Sequence, residues 1–190
     1  MKNNGLSGKK LIKKGKWIIK EKNSNSKNLV EISNILNEKR FKYFSKFKDI
    51  DDFTYSYRYV KGITLEKVKA MPFESTMKII KIISELQSLY IDSENNVIVH
   101  GDISPVNAIF NNKLLPKKLI DWDGSYFGSK YDDIGYICWL WVNFGDDKQE
   151  HSKYVLQIIA IFKYLGYKKI DVINVKNSIL IRKFYSHKNK

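Results

Sequence analysis

The N-terminal third of the chain alternates short apolar segments with polar turns, a pattern typical of strands joined by hairpins. Leu11-Ile12 and Trp17-Ile18-Ile19 flank the turn sequence Lys-Lys-Gly-Lys, and an alternating aromatic segment runs from Phe53 to Val60 before Lys61-Gly62. The pattern predicts a hairpin over 11–19 and a strand over 53–60 that ends at a turn. A helix is predicted between them from four apolar residues at helical spacing: Leu29, Ile32, Ile35 and Leu36.

The central segment combines one long helical stripe with short apolar strands. A helix that begins after Pro72 is predicted from apolar residues at helical spacing: Phe73, Met77, Ile80, Ile83, Leu86 and Tyr90. Val97-Ile98-Val99 predicts a strand that leads to His100. Ala108–Phe110 and Leu119-Ile120 predict a second hairpin, which ends in Asp121.

The C-terminal part has helical patterns near 133–144, 149–165 and 170–185. The first is apolar on nearly every side and too short to span a bilayer, so it is predicted to be a buried central helix. Its aromatic residues are accordingly expected in the core rather than in a base-stacking surface. Strands, one helix, more strands and then helices predict an α+β protein with a sheet-rich N-terminal part and a helical C-terminal part.

Composition narrows the class of protein. A chain of 190 residues with 43% hydrophobic residues can form one substantial core, and we expect one folding unit. Its single cysteine, Cys138, has apolar neighbours and is predicted to be buried and inert. We expect a cytoplasmic protein because the first residues are rich in Lys and Asn and no segment has the length of a membrane span.

The net charge of +14 raises the question of a polyanionic partner. Lysines occur throughout the chain, however, whereas a nucleic-acid footprint is expected to cluster. A solvated, Lys-rich surface is therefore favoured over a nucleic-acid interface.

The segment from His100 to Asn107 carries the candidate chemistry. Pro105 disfavours helix at the residue before it, so Asp102 and Asn107 are predicted to lie in an extended loop. Asp121 follows at the end of the second predicted hairpin. Phosphoryl transfer requires a carboxylate that accepts a hydroxyl proton and hard oxygen ligands for Mg²⁺. Asp102 suits the first role, and Asn107 and Asp121 suit the second.

These residues could also be ordinary turn formers, as most Asp and Asn residues in loops are. Their combined spacing, His-x-Asp-x₄-Asn followed by an Asp after a hairpin, instead matches the catalytic pattern of kinases. His100 itself is predicted to be a packed residue that shapes the loop rather than a base.

Three segments resemble the aminoglycoside phosphotransferase and choline kinase family: His100–Asn107, Leu119–Asp123 and Tyr131–Trp141. Gly101 replaces the Arg of protein kinases, and Asp-Trp-Asp replaces their Asp-Phe-Gly, which favours this family over ordinary protein kinases. The resemblance implies a protein-kinase-like fold in a single domain, residues 1–190. Its N-lobe is expected over about 1–60 and its C-lobe over about 64–190.

The same resemblance implies nucleotide-binding residues in the N-terminal part. Gly5, Ser7 and Gly8 would belong to the loop that covers the phosphates. Lys20 is the predicted contact to the α- and β-phosphates, although Lys22 shares its strand face and stays an alternative. Glu31, at the start of the next helix, is the implied partner that positions the lysine.

Further roles follow from the resemblance. Tyr59 and Val60 resemble the hinge that offers backbone hydrogen bonds to adenine. Asp123 is either a metal ligand beside Asn107 and Asp121 or a solvated neighbour. Asp133 either complements a helix dipole or supports the catalytic loop.

The implied cofactors and substrates are Mg²⁺, ATP or GTP, and a small molecule with a hydroxyl group, such as an aminoglycoside, choline or another amino alcohol or sugar. The helix at 73–90 runs almost directly into the catalytic loop, so a reduced or open acceptor site is expected. Two alternatives stay open: a small atypical protein kinase, and a non-catalytic module that binds a nucleotide or RNA.

Overall fold

An antiparallel sheet of five strands forms the N-terminal part of the computed structural model, which describes residues 2–4, 10–24, 26–67, 71–143 and 151–188. The strands are β1 (Lys2–Asn4), β2 (Lys10–Lys14), β3 (Trp17–Glu21), β4 (Phe47–Asp49) and β5 (Thr54–Arg58), in the order β1-β2-β3-β5-β4. The predicted hairpin is confirmed as β2 and β3, and its turn contains Gly15 at φ +59°. Glycine adopts this left-handed conformation without steric cost.

Helix α1 (Ser26–Glu38) is the predicted helix between the two halves of this sheet. Three residues of its predicted stripe, Leu29, Ile32 and Leu36, are buried. The stripe gives the helix one apolar face, and that face determines which α1 side chains point inward.

The C-terminal part contains two further small sheets and four helices among the described residues. Its elements are α2 (Phe73–Gln87), β6 (Val97–Val99), β7 (Ala108–Phe110), β8 (Pro116–Leu119), β9 (Tyr126–Gly128), α3 (Tyr131–Leu140), α4 (His151–Leu165) and α5 (Lys169–Lys188). Short 3-10 turns lie at Pro105–Asn107 and Trp122–Gly124. The second predicted hairpin is confirmed as β7 and β8.

Several details differ from the sequence prediction, which did not include the short strands β1, β4 and β9. Strand β9 pairs with β6, so that the segment before the predicted catalytic loop has a long-range partner. Phe73, assigned to the apolar stripe of α2, is 43% exposed, while Ile79 and Ile82 join the buried face. The predicted helix bounds are otherwise shifted by only a few residues, which is ordinary fraying of helix ends.

Helix α3 is the buried central helix that its composition predicts. Ile134, Ile137 and Trp141 have no exposed surface, and Cys138 is equally buried. Burial raises the pKa of the Cys138 thiol to about 12, as expected for an inert cysteine. Sheet-rich and helical parts occur in the predicted order, so the α+β class is confirmed. None of the helices among the described residues has the length and apolar character to cross a membrane.

Candidate active site

The predicted catalytic loop begins directly after β6 with a backbone that only glycine tolerates. Gly101 has φ +82°, and a Cβ atom there would lie 2.0 Å from the carbonyl oxygen of Gly124. Ser104, before Pro105, is extended with ψ 158°, as a residue before proline prefers. The close approach to Gly124 places the loop against the segment that contains Asp121 and Asp123.

Asp133 supports this loop from the first turn of α3. Its carboxylate is fully buried and accepts the backbone amides of His100 at 2.8 Å and Gly101 at 3.2 Å. Burial raises the pKa of Asp133 to about 6, although the two amide hydrogen bonds oppose the shift. Of the two hypotheses for Asp133, the geometry therefore favours support of the catalytic loop.

His100 is a packed structural residue, as predicted. Its side chain is fully buried, its ring lies 4.5 Å from the Trp122 ring, and its Nε2 lies 3.2 Å from the Ile120 carbonyl oxygen. Burial lowers the pKa of His100 to about 4, although the nearby Asp102 and Asp121 act in the opposite direction. The ring is therefore neutral at physiological pH.

Asp102 and Asn107 are joined within the loop. Asn107 Nδ2 donates to Asp102 Oδ2 at 2.8 Å and to the Asp102 carbonyl oxygen at 3.0 Å. Both donor hydrogens of this amide face Asp102, which leaves Asn107 Oδ1 as the atom that can bind a cation. The Ile120 amide donates to the Asn107 carbonyl oxygen at 2.9 Å, so the residue before Asp121 is attached to the loop.

Asp121 follows β8 in the left-handed conformation, with φ 63° and ψ 57°. Such a backbone is uncommon for a residue other than glycine, and it is concentrated at functional sites. The Asp121 side chain is 39% exposed, and one of its oxygens, Oδ1, lies 2.6 Å from Lys20 Nζ. The structure thus brings a lysine of the N-terminal sheet to the end of the second hairpin.

Lys20 is buried between two carboxylates. Only 7% of its side chain is exposed, and its Nζ lies 3.0 Å from Asp123 Oδ2 as well as beside Asp121. Burial lowers the pKa of Lys20, but Asp121 and Asp123 outweigh burial and the net shift is upward. Lys22 lies beyond the end of β3 and pairs with Asp49 at 2.7 Å, so its amine is directed elsewhere.

Glu31 is not brought to Lys20, and the implied ion pair is wrong in this structure. The buried face of α1 carries Leu29, Ile32 and Leu36, and the 100° step of a helix puts Glu31 on the opposite, exposed face. Lys20 has Asp121 and Asp123 as its ion-pair partners among the described residues. Helix α1 is present as predicted, but its acid points away from the site.

Asp123 is held by donors from the N-terminal part. The Tyr55 hydroxyl donates to Asp123 Oδ1, and Asn23 Nδ2 donates to Oδ2 at 3.5 Å. Only 13% of the Asp123 side chain is exposed. The carboxylate thus lies in a network of side chains rather than in open solvent.

The hinge prediction for the Tyr59 amide is not supported by its backbone pairing. The Tyr59 amide donates to the Lys16 carbonyl oxygen at 2.8 Å and so extends the pairing of the sheet, which means that it cannot bind an adenine base. The hinge role of Val60 stays a prediction. Gly5, Ser7 and Gly8 lie outside the described residues.

Several solved structures of antibiotic phosphotransferases are similar to this fold. The ternary complex of APH(2'')-IIa with streptomycin and ATP has a TM-score of 0.65 at 13% identity, covering 94% of this chain and 80% of that one. The GDP complex of aminoglycoside 2'-phosphotransferase-IIIa has a TM-score of 0.59 at 13% identity, and the match covers 90% of this chain and 78% of that one. Macrolide 2'-phosphotransferase type I has a TM-score of 0.58 at 10% identity, and the match covers 94% of this chain and 81% of that one.

The chain has the protein-kinase-like fold of the aminoglycoside phosphotransferases. At these identities the similarity establishes the fold alone. No protein-family profile matches the chain, and no curated protein is similar to it in sequence.

Within this fold, Tyr136 and Arg182 contact the predicted catalytic loop at Asp102 and at Gly101, although neither was predicted to belong to the site. The Tyr136 hydroxyl donates to Asp102 Oδ1 at 2.6 Å. Arg182, on α5, donates to the Gly101 carbonyl oxygen and, at 3.2 Å, to the Tyr126 hydroxyl. Its guanidinium carbon also lies 4.9 Å from the centre of the Tyr136 ring.

Tyr136 could have been found from its spacing, but Arg182 could not. Tyr136 comes three residues after Asp133, and residues at this spacing share a helix face, so both reach the loop. The aromatic content of α3 instead favoured a core position. Nothing local to α5 indicates that Arg182 returns to a loop 81 residues earlier.

Replacing Tyr136 with phenylalanine is expected to lower turnover about tenfold, because Asp102 would lose a charge-assisted hydrogen bond that fixes its carboxylate. Nucleotide affinity should not change, since among the described residues Tyr136 contacts Asp102, Arg182 and Trp139 and none that is predicted to bind the nucleotide. Steady-state kinetics would measure both quantities. Tyr164→Phe is the matched control, because Tyr164 is 49% exposed on α4; equal losses in the two variants would contradict a specific role for Tyr136.

Asn107 and Asp121 carry oxygens of the type that binds magnesium. Asn107 Oδ1 is turned away from Asp102, and Asp121 keeps a second carboxylate oxygen besides the one beside Lys20. Carboxylate and amide oxygens are the hard ligands that Mg²⁺ prefers, and this ion usually takes only one or two of them from the protein. The described residues contain no cluster of three or more His, Cys, Asp or Glu side chains that could hold a metal.

Proposed function

We propose that this protein transfers the γ-phosphoryl group of ATP or GTP, with Mg²⁺, to a hydroxyl group of a small molecule. One contact supports this function most directly: Lys20 Nζ lies 2.6 Å from Asp121 Oδ1 although the two residues are 101 positions apart. It joins the predicted phosphate-binding lysine to a predicted metal ligand, beside the loop with the predicted base. The nucleotide would lie between an N-lobe of about 1–60 and a C-lobe from about 64.

Asp102 is the proposed base. It is half-buried, and its carboxylate is oriented by Asn107 Nδ2 on one oxygen and by the Tyr136 hydroxyl on the other. A carboxylate oxygen has two lone pairs, so each can still accept a further hydrogen bond. The acceptor hydroxyl would donate to this carboxylate, which orients its oxygen toward the phosphorus and takes its proton.

Asn107 and Asp121 are the proposed metal ligands, and Lys20 is the proposed contact to the α- and β-phosphates. When bound, Mg²⁺ would neutralise the negative charge on the phosphate oxygens. Lys20 stays protonated because its two neighbouring carboxylates raise its pKa, so it can add a fixed positive charge at the phosphates.

The acceptor is proposed to be an aminoglycoside, choline or a similar amino alcohol or sugar. Similar folds have been solved with streptomycin and with gentamicin, and another is a macrolide phosphotransferase. Only residues 88–96 separate α2 from β6, which leaves little chain to enclose an acceptor on that side of the loop. Half-buried Trp139, whose ring lies 5.9 Å from that of Tyr136, offers an aromatic surface near Asp102.

Purified protein should be assayed for phosphate transfer from ATP and from GTP with Mg²⁺. The acceptor panel would contain streptomycin, gentamicin, a macrolide, choline and a generic protein, and Asp102→Asn would provide the inactive reference. Nucleotide turnover that a small molecule stimulates, and that requires Asp102, is the expected result.

Three outcomes would contradict the proposal in different ways. Transfer to protein alone would indicate an atypical protein kinase. Nucleotide binding without transfer to any acceptor would favour a binding module, and binding to RNA with a steep salt dependence would strengthen that conclusion. Absence of nucleotide binding would exclude both kinase functions.

A further inference from the structure

We propose that Asp123, fixed by Tyr55, is the positioning residue for Lys20, in place of an acidic residue on α1. The inference rests on the proposed function, because it assigns Lys20 to the nucleotide. It also separates the two acids of the Asp-Trp-Asp segment. Both contact Lys20, but Asp121 keeps its second oxygen for the metal, whereas both oxygens of Asp123 are engaged by Lys20 and neighbouring donors.

Helix α1 offers no acid to Lys20. Its buried polar residues are Ser26 and Ser33, while Glu31 is exposed on the outer face. Lys20 is nevertheless 7% exposed, and a buried ammonium group requires a paired charge. The requirement is met by the segment after β8, which supplies Asp123 Oδ2 at 3.0 Å and Asp121 Oδ1 at 2.6 Å.

Tyr55 joins Asp123 to the sheet that carries Lys20. Lys20 and Tyr55 are directly opposite each other in the register of β3 and β5, so their side chains share one face of the sheet. Tyr55 is 2% exposed and donates its hydroxyl to Asp123 Oδ1. Burial, followed by the charge of Asp123, raises the pKa of Tyr55 far above its usual range, so the hydroxyl stays a donor.

The two acids differ in how far their oxygens are occupied. Asp123 accepts from Tyr55 on Oδ1 and faces Lys20 and Asn23 on Oδ2, and 13% of its side chain is exposed. Asp121 is 39% exposed and faces Lys20 with Oδ1 alone. A cation could reach the more exposed Asp121 from solvent, whereas on Asp123 it would have to displace existing donors. The geometry thus assigns Asp123 to Lys20 rather than to the metal.

Three variants test this assignment by chemical labelling and kinetics, and Asp121→Asn is added for the magnesium requirement. Asp123→Asn removes the charge, Tyr55→Phe removes only the hydroxyl, and Glu31→Gln is the control on α1. Mild acetylation followed by peptide mass spectrometry would report the protection of Lys20, with exposed lysines as internal references. This readout requires no turnover, so it stays informative if the proposed kinase activity is absent.

Lys20 acetylation is expected to rise in Asp123→Asn and in Tyr55→Phe, and to be unchanged in Glu31→Gln. In an active enzyme, kcat/KM for the nucleotide should fall about tenfold in the first two variants, since each loses a hydrogen bond to a charged group. The Mg²⁺ concentration for half-maximal turnover should change only in Asp121→Asn.

Two results would overturn the inference. Increased Lys20 labelling in Glu31→Gln would restore the helix acid as its partner. A strongly raised Mg²⁺ requirement in Asp123→Asn, with Lys20 labelling unchanged, would make Asp123 a metal ligand. Because Tyr55→Phe alters neither charge nor side-chain shape, it separates loss of positioning from loss of folding, and its melting temperature should stay close to that of the wild type.

Discussion

Replacing Asp102 with asparagine is expected to lower the rate of phosphate transfer 10²- to 10⁴-fold, the usual contribution of a general base. The side chain keeps its size, so the loss would come from the missing proton acceptor. The loop should keep its geometry because Asn107 Nδ2 still has the backbone carbonyl oxygen of residue 102, at 3.0 Å, as a partner. Nucleotide affinity should therefore stay close to that of the wild type.

Single-turnover transfer and nucleotide titration would measure the two effects separately. Asp52→Asn, at an exposed position of the loop between β4 and β5, is the matched control and should be fully active. If Asp102→Asn transferred phosphate at the rate of the control, Asp102 would not be the base, and the proposed mechanism would lose its central step.

Replacing Asp133 with alanine is expected to lower the free energy of unfolding by about 2–4 kcal/mol at pH 5, because the buried amides of His100 and Gly101 would lose their acceptor. Transfer should fall about 10²-fold, since a small displacement of a catalytic group has an effect of this size. Urea unfolding and steady-state kinetics would measure the two losses. The exposed Asp52→Ala variant provides the control for both.

The stability loss in Asp133→Ala should become smaller as the pH rises from 5 to 7. The pKa of Asp133 is about 6 in the folded protein, above its unfolded value of 3.8. Between these values the folded state binds more protons, so the contribution of Asp133 to stability falls with rising pH. A loss that instead grew over this range would show that Asp133 is stabilised as a charged carboxylate, with a lowered pKa.

Local patterns were sufficient for most of the secondary structure. The β2–β3 hairpin and α1 each carry a complete periodic signal within about twenty residues, and the buried character of α3 follows from its composition. Strand β9 carries no such signal: it has three residues, and its partner β6 lies well before it in the chain. A pairing of this kind depends on the assembled fold and not on local sequence.

The candidate site likewise contains residues that local motifs predict and contacts that depend on the assembled fold. Asp102, Asn107 and Asp121 belong to motifs with defined spacing, and the structure places Asn107 beside Asp102, the predicted base, and Asp121 beside Lys20. The partner of Lys20 was assigned to Glu31 by resemblance, but the apolar stripe of α1 turns that residue outward. The family resemblance and the helical periodicity therefore make conflicting predictions for the direction of the Glu31 side chain. The periodicity determines the outcome because burial of the apolar face fixes the rotation of the helix.

The hydrogen bond from Arg182 to the Gly101 carbonyl oxygen has a consequence for synthesis on the ribosome. The two residues are 81 positions apart, so the segment with Asp102, Asn107 and Asp121 emerges well before Arg182 is translated. Folding generally proceeds from the N-terminal side during synthesis. If the protein has the proposed function, a nascent chain should bind nucleotide before it can transfer phosphate efficiently, because α5 completes the support of the predicted catalytic loop last.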